Sequence, residues 1–262
     1  MNEERSRSNT AAKIPVAVLG ATGMVGQRFI ELLEGHPWFE LVGLAASGQH
    51  NGRPYGEVAR WRLPGSELPH SVANLPVVAC DPAALPELKI AFSALPAEAA
   101  DEIEGVFARA GVAVFSNAKS YRMEADVPLL IPEVNSSHAA AIAMQRKLRG
   151  WSGSIVTNPN CSATPLAMAL KPLHEAFGVQ KVMVTTLQAI SGAGYPGLSA
   201  YDMVDNVVPY ISGEEAKLES ETQKMLGTWT EGQGFSDASL VISAQCTRVP
   251  TREGHLECIS VA

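Results

Sequence analysis

The apolar run Lys13-Ile14-Pro15-Val16-Ala17-Val18-Leu19 opens directly onto Gly20-Ala21-Thr22-Gly23-Met24-Val25-Gly26, and residues 27–34 follow at helical period. A strand, a glycine turn and a helix in that order narrow the fold sharply. They build a βα unit, whose strand takes a parallel neighbour through a right-handed crossover. The glycines let the backbone approach a pyrophosphate, whose charge then rests on the helix N-terminus. The spacing is G-x-x-G-x-x-G, where the commoner dinucleotide fingerprint is G-x-G-x-x-G. The turn alone therefore leaves ordinary turn chemistry open, and its strand and helix flanks favour a nucleotide.

The alternation continues. Residues 41–45 read as a second strand ending in Ala46-Ser47-Gly48, where an NAD-preferring fold carries an acid for the ribose hydroxyls. No acid is there, and Ser47 with His50 or Arg53 suits a 2′-phosphate, so NADP is the expected cofactor; the other reading of Arg53 is a solvated loop residue. Residues 48–76 are irregular and rich in Pro and Gly. A buried strand with a polar turn (89–96), a helix through 110 and a strand at 112–115 complete a parallel, doubly wound α/β sheet of Rossmann type. Ser116-Asn117-Ala118-Lys119-Ser120-Tyr121-Arg122 then falls at the strand carboxyl ends, where such sheets bind ligands. Arg122 there either forks onto a phosphate or is a surface arginine. Residues 136–148 read as a helix, with His138 solvated or capping.

The second organising stretch is Thr157-Asn158-Pro159-Asn160-Cys161-Ser162-Ala163-Thr164-Pro165, between a strand ending at 154–156 and a helix over 166–177. Cys161 falls at or just before the helix N-terminus. The free N–H groups and positive end of that helix favour a thiolate and offer donors to an oxyanion. The competing reading is a buried free cysteine in a turn.

Beyond it, residues 179–189 form a β-branched strand ending in Gln188-Ala189-Ile190-Ser191-Gly192-Ala193-Gly194-Tyr195-Pro196-Gly197. Gln188 is placed to bond a substrate or is structural. A polar helix starts at 211–217 and runs through 225, with Ser212 or Gly213 as cap; Glu214 and Lys217 share one face, which by spacing alone is an exposed ion pair. Residues 240–249 are a strand with Cys246 and Arg248 on one face, and a hairpin turn at 250–254 brings Arg248 close to His255. His255 is the best proton partner for Cys161 among six histidines; Cys246, in mid-strand, lacks the helix end that would ionise it.

Composition bounds these readings. With 262 residues and 46% hydrophobic content the chain supports two domains, taken as 13–157 and 158–262 behind a disordered tail at 1–12. Twenty basic against 27 acidic residues, a formal charge of −7, argue against nucleic acid. No span suits a membrane helix, and the polar opening is no secretion signal. Four scattered cysteines without C-x-x-C spacing speak against a metal site or disulfides and for a reducing cytoplasm.

Seven motifs in order then carry a resemblance: Gly20-Ala-Thr-Gly-Met-Val-Gly26, Ser116-Asn-Ala118, Val127-Pro-Leu through Pro132-Glu-Val-Asn135, Asn158-Pro-Asn-Cys161-Ser, Gln188-Ala-Ile-Ser-Gly-Ala-Gly-Tyr-Pro-Gly197, Glu214-Glu-Ala-Lys217 and Arg248-Val-Pro-Thr-Arg-Glu-Gly-His255. The chain resembles the aspartate-semialdehyde dehydrogenases, in the branch with archaeal and fungal members. That resemblance implies a Rossmann domain followed by an α+β catalytic and dimerisation domain, a homodimer or dimer of dimers, and a small-molecule substrate with inorganic phosphate. It implies Cys161 as nucleophile on β-aspartyl phosphate, His255 as acid/base and Gln188 orienting the acyl group. Arg248 would hold the substrate carboxylate, Glu214 its amino group, and Asn117, Arg122 and Lys217 the phosphate. Gly20, Thr22, Gly23, Met24, Val25, Ser47, Ser93, Leu95, Ser191 and Gly192 form the implied NADP contacts. The implied setting is lysine, threonine and methionine biosynthesis.

Two departures stand out. Family members carry a run such as Arg-Ser-x-Gly-Lys after the second strand, where this chain has Gln49-His50-Asn51-Gly52-Arg53. They also continue past the position of Ala262, so a C-terminally truncated chain is expected. Malonyl-CoA reductases and N-acetyl-glutamyl-phosphate reductases share the scaffold or its thioester chemistry, and a non-catalytic cofactor-binding fragment is a further alternative.

Overall fold

A computed structural model describes residues 12–262; the tail read at 1–12 lies almost wholly outside the described residues. Strand β1 (Ile14–Leu19) is buried on both faces from Val16 onward, as a strand covered by helices on two sides must be. It pairs in parallel with β2 (Phe39–Ala46), which pairs in parallel with β3 (Val77–Ala79). With β4 (Ile90–Ser93), β5 (Ala113–Ser116) and β6 (Ser154–Thr157) the sheet order is β3-β2-β1-β4-β5-β6. This is the doubly wound parallel sheet that the alternation implied. The three-residue β3 went unread because it is too short to show a period. The stretch 48–76 is less irregular than its composition suggests, holding the short helices α2 (Tyr55–Val58) and α3 (His70–Ala73).

Internal contacts divide the chain between Phe92 and Ser93. In the first unit, Val16, Val18, Ile30, Leu44, Tyr55 and Val77 form the core, and the Tyr55 hydroxyl donates to the Ala21 carbonyl at 2.7 Å. The glycines of the turn differ in purpose. Gly20 sits at φ 77°, a left-handed value that favours glycine. Gly26 lies inside helix α1 (Met24–Leu33), where a Cβ would come within 2.3 Å of the Gly20 carbonyl oxygen. At Gly23 the same atom would make ordinary contact at 3.4 Å.

The second unit contains α4 (Ala97–Arg109), α5 (Pro132–Asn135), α6 (Ala141–Arg149), α7 (Ala163–Phe177), α8 (Ala200–Met203) and α9 (Glu214–Leu226). The helix read over 136–148 is a 3-10 turn at Ser136–Ala140 running into α6. His138 in that turn is buried rather than solvated. Its Nδ1 lies 3.0 Å from Asn135 Nδ2 and its Nε2 3.2 Å from the Gly227 carbonyl. A hairpin of β8 (Thr228–Thr230) and β9 (Gly234–Ser236) follows α9.

A three-stranded sheet carries the rest. Strand β7 (Lys181–Gln188) is central, with β10 (Val241–Arg248) parallel on one side and β11 (Leu256–Val261) antiparallel on the other. The expected Arg248–His255 hairpin is therefore absent: β10 and β11 do not pair, and residues 249–255 cross the end of β7. Backbone bonds fix that crossing, from Val249 N–H to Gln188, Ile190 N–H to Thr251 and Ser191 N–H to Arg252. One face of the sheet meets α7 and α9 over Leu166, Leu170, Val182, Val184, Leu218, Met225 and Leu240.

Candidate active site

Cys161 stands one residue ahead of Ser162, the N-cap position of α7, where the sequence placed it. Its Sγ lies 3.2 Å from His255 Nε2, across a separation of 94 residues. His255 just precedes β11, and its Nδ1 accepts the Ala189 N–H at 3.0 Å. Arg248 ends β10, and its Nη1 donates to the Ala189 carbonyl at 2.8 Å. Arg248 and His255 do come together, through the residue after β7 and not through a hairpin. Gly192 closes the arrangement, since a Cβ there would meet Arg248 Nη1 at 2.7 Å and His255 Nε2 at 3.2 Å.

The helix end acts only in part as the sequence suggested. The Asn160 side-chain oxygen accepts both the Ser162 N–H at 2.8 Å and the Ala163 N–H at 3.2 Å, so two of the donors expected for an oxyanion are already engaged. The thiol on balance is pushed up, not down. Burial is the largest cause and the Glu214 charge the next; Arg248 and the backbone N–H groups of Cys161 and Ser162 oppose them. His255 is held below its ordinary value, first by burial and then by Arg248, against Glu214. Cys246 is wholly buried and its thiol is pushed up to about 11 by burial, which disqualifies it as nucleophile.

Helix α9 supports the site from beneath. Glu214 is 6% exposed, so it is no surface ion pair: Oε1 accepts from Asn160 Nδ2 at 2.7 Å and from Gln188 Nε2 at 3.3 Å, and Oε2 accepts from Lys217 Nζ at 3.2 Å. Two turns on, Glu221 accepts the Asn160 N–H at 2.6 Å and Arg122 Nη1 at 2.9 Å. Lys224 Nζ donates to the carbonyls of Arg122, Glu124 and Val127 at 2.7, 2.9 and 3.0 Å. The roles of Asn160, Glu221 and Lys224 were missed in the sequence, although the spacing of Glu221 and Lys224 from Glu214 and Lys217 was visible there.

Arg122 is buried, not a surface arginine, and its Nη2 donates to the Asn117 carbonyl at 2.8 Å. Asn117 Oδ1 accepts from Asn158 Nδ2 at 2.5 Å. The buried polar atoms of this region without a protein partner include Arg122 Nε, Gln188 Oε1 and Ser162 Oγ. An unmatched donor on a guanidinium is what a phosphate oxygen would satisfy.

The residues expected to hold a dinucleotide occupy these places. Gly20, Thr22 and Gly23 form the turn, and Met24 and Val25 open α1, which has neither a side-chain cap nor an acid in its first turn. That uncapped start suits a pyrophosphate. Ser47 is exposed after β2, and Arg53 is drawn to Glu57 at 3.6 Å. In the second unit, Ser93 is wholly buried beside Glu104, and Leu95 and Ser191 are half-buried. The Ser93 hydroxyl is thus turned inward, while Gly192 is exposed.

Two family models match the chain: the semialdehyde dehydrogenase NAD binding domain over residues 15–142 and the semialdehyde dehydrogenase dimerisation domain over 170–262. The aspartate-semialdehyde dehydrogenase of Methanothermobacter thermautotrophicus is 51% identical over 95% of this chain and 71% of its own length. This chain belongs to the aspartate-semialdehyde dehydrogenase family. The enzyme of Cryptococcus neoformans is 50% identical over 95% of the chain and 70% of its own. A crystal structure of the aspartate-semialdehyde dehydrogenase of Candida albicans with NADP superimposes with a TM-score of 0.87 at 45% identity, covering 95% of this chain and 71% of that one. The aspartate-semialdehyde dehydrogenases aligned with it thus extend beyond the part that this chain matches.

Proposed function

We propose that the chain catalyses the NADPH-dependent reduction of L-aspartyl-4-phosphate to L-aspartate 4-semialdehyde and phosphate, through a thioester on Cys161. The observation that carries this reading is the Cys161–His255 contact at 3.2 Å, with a buried arginine and a buried glutamate beside it. Within a family of this name, that set suits a substrate bearing a carboxylate, an amino group and an acyl phosphate.

Cys161 Sγ attacks the acyl carbon, the bond from that carbon to the phosphate oxygen breaks, and phosphate leaves with the electron pair. Arg248 forks onto the substrate carboxylate, Glu214 takes the amino group and Gln188 orients the acyl oxygen. Arg122, Asn117 and Lys217 hold the phosphate, and Arg122 Nε, buried without a partner, is the donor left over for it. His255 carries the proton chemistry at sulfur. The Gly20–Val25 turn, with Ser47, Leu95, Ser191 and Gly192 as further contacts, would hold the dinucleotide, and the chemistry it would supply when bound is hydride transfer. Its NADP preference follows from the absence of an acid after β2. Residues 13–157 serve the cofactor and 158–262 the chemistry. The setting is a homodimer, or dimer of dimers, in cytoplasmic biosynthesis of lysine, threonine and methionine.

The test is NADP reduction by aspartate semialdehyde at varied phosphate. A rate that requires phosphate and disappears in Cys161→Ser is expected. Turnover of malonyl-CoA with NADPH, with none on aspartate semialdehyde, would move the substrate to the malonyl-CoA reductases.

A further inference from the structure

The turn between β1 and α1 is gripped from the core side by two side chains. Tyr55, wholly buried on α2, donates from its hydroxyl to the Ala21 carbonyl at 2.7 Å, across 34 residues. Gln27, wholly buried on α1, donates from Nε2 to the Thr22 carbonyl at 3.2 Å and to the Arg60 carbonyl at 2.8 Å, while its Oε1 accepts the Arg62 N–H at 2.8 Å. Gln27 therefore ties the turn to the segment that follows α2.

A trans peptide carries its C=O and its N–H on opposite sides. With the Ala21 carbonyl turned inward to Tyr55, the N–H of the same peptide, that of Thr22, faces away from the core. The next peptide is held at both ends, its carbonyl by Gln27 and its N–H, that of Gly23, by the Gly20 carbonyl at 3.1 Å. Thr22 and the uncapped first residues of α1 thus present their amides outward, as donors for an anion. Tyr55 is itself anchored. Its N–H donates to the Leu75 carbonyl at 2.9 Å, and its ring belongs to the core of Val16, Ile30, Leu44 and Val77.

We propose that Tyr55 and Gln27 are positioning residues for the dinucleotide: each takes a carbonyl of the glycine turn from beneath, and together they hold the Thr22 N–H and the start of α1 toward the pyrophosphate. Both are wholly buried, so they act through the turn. These roles rest on the reading of the Gly20–Val25 turn as the pyrophosphate site.

The test is calorimetric titration of this chain with NADPH and, separately, with adenosine 2′-phosphate, which has no pyrophosphate. Tyr55→Phe removes only the hydroxyl. It should raise the Kd for NADPH roughly fivefold, on the scale of one lost hydrogen bond, and leave the Kd for adenosine 2′-phosphate unchanged. Gln27→Met should do the same, and it decides the matter alone if thermal melts without ligand show Tyr55→Phe to be unfolded. A merely structural role would weaken both ligands alike or neither, and either result overturns the proposal. Gly23→Ala separates these roles from the reading beneath them. Unchanged NADPH affinity in that variant would take the pyrophosphate away from this turn, whereas a loss there beside an unchanged Tyr55→Phe overturns the positioning roles alone.

Discussion

At Gly192 the missing side chain is what lets two others meet. Its backbone is outside the left-handed region, so Gly192→Ala is tolerated by the chain, but the new Cβ falls 2.7 Å from Arg248 Nη1 and 3.2 Å from His255 Nε2. Arg248 has to move, and with it the carboxylate clamp proposed for it. The expected outcome is a fall in kcat/KM of about tenfold or more, on the scale of one misplaced charged hydrogen bond, with the melting temperature nearly unchanged. Steady-state kinetics beside calorimetry reads both, and a drop in melting temperature without a kinetic change would place Gly192 in folding alone. Glu214 gives a pH signature. Burial alone would raise its carboxyl, yet the Asn160 amide and the Lys217 ammonium outweigh it and hold the group below its ordinary 4.5. A carboxyl lowered on folding stabilises above 4.5, and that contribution fades as pH falls through the folded value. Glu214→Gln should therefore flatten the acid side of the stability curve, and parallel curves for the two proteins would refute this. The pairing of Cys161 with His255 was legible because their types and motifs are specific. The role of Asn160 was not, because a side chain that caps its own helix and anchors to another leaves no pattern in a single sequence.

On helix α9 the residues Glu214, Lys217, Glu221 and Lys224 recur at steps of three and four, a helical face made wholly of charge. Such a stripe reads as the solvated side, and that is why the sequence could show an ion pair but not a buried support. Three of the four are buried, because their partners are the backbone and side chains of the Cys161 loop and of the segment after β5. Breaking the Arg122–Glu221 pair with Glu221→Ala leaves a buried guanidinium and the Asn160 N–H without their acceptor. Loss of about 3–5 kcal/mol in urea unfolding is expected, with a raised phosphate KM in whatever folds. Helix α1 allows a cleaner comparison. Gly26→Ala puts a Cβ 2.3 Å from the Gly20 oxygen and should cost about 1–3 kcal/mol of stability, whereas Gly23→Ala, at 3.4 Å, should keep stability and lose NADPH binding. Thermal melts with and without NADPH separate the two, and equal losses of stability would contradict the close approach at Gly26. The strand, turn and helix of this unit were legible because all three signals are local.

For the molecule as a whole, topology was half legible. The parallel sheet followed from alternation, but the strand pairing of the second unit did not. Pro250-Thr251-Arg252-Glu253-Gly254 is a good local hairpin signal, and it lost to β7, a partner distant in sequence that buries more apolar surface. The face of this sheet turned away from α7 and α9 exposes Met183 at 69%, Val241 at 66% and Leu256 at 53%, one from each strand, within the segment matching a dimerisation domain. Light scattering should give about twice 27.8 kDa, and Met183→Glu should halve it; an unchanged mass would assign the contact elsewhere. The separation of 94 residues between sulfur and imidazole has one more consequence. Translation delivers Cys161 long before His255, and the two meet only after β11 has emerged and docked on β7. A growing polypeptide therefore carries this cysteine without its partner over those 94 residues of synthesis, and the site is assembled by the last strand described.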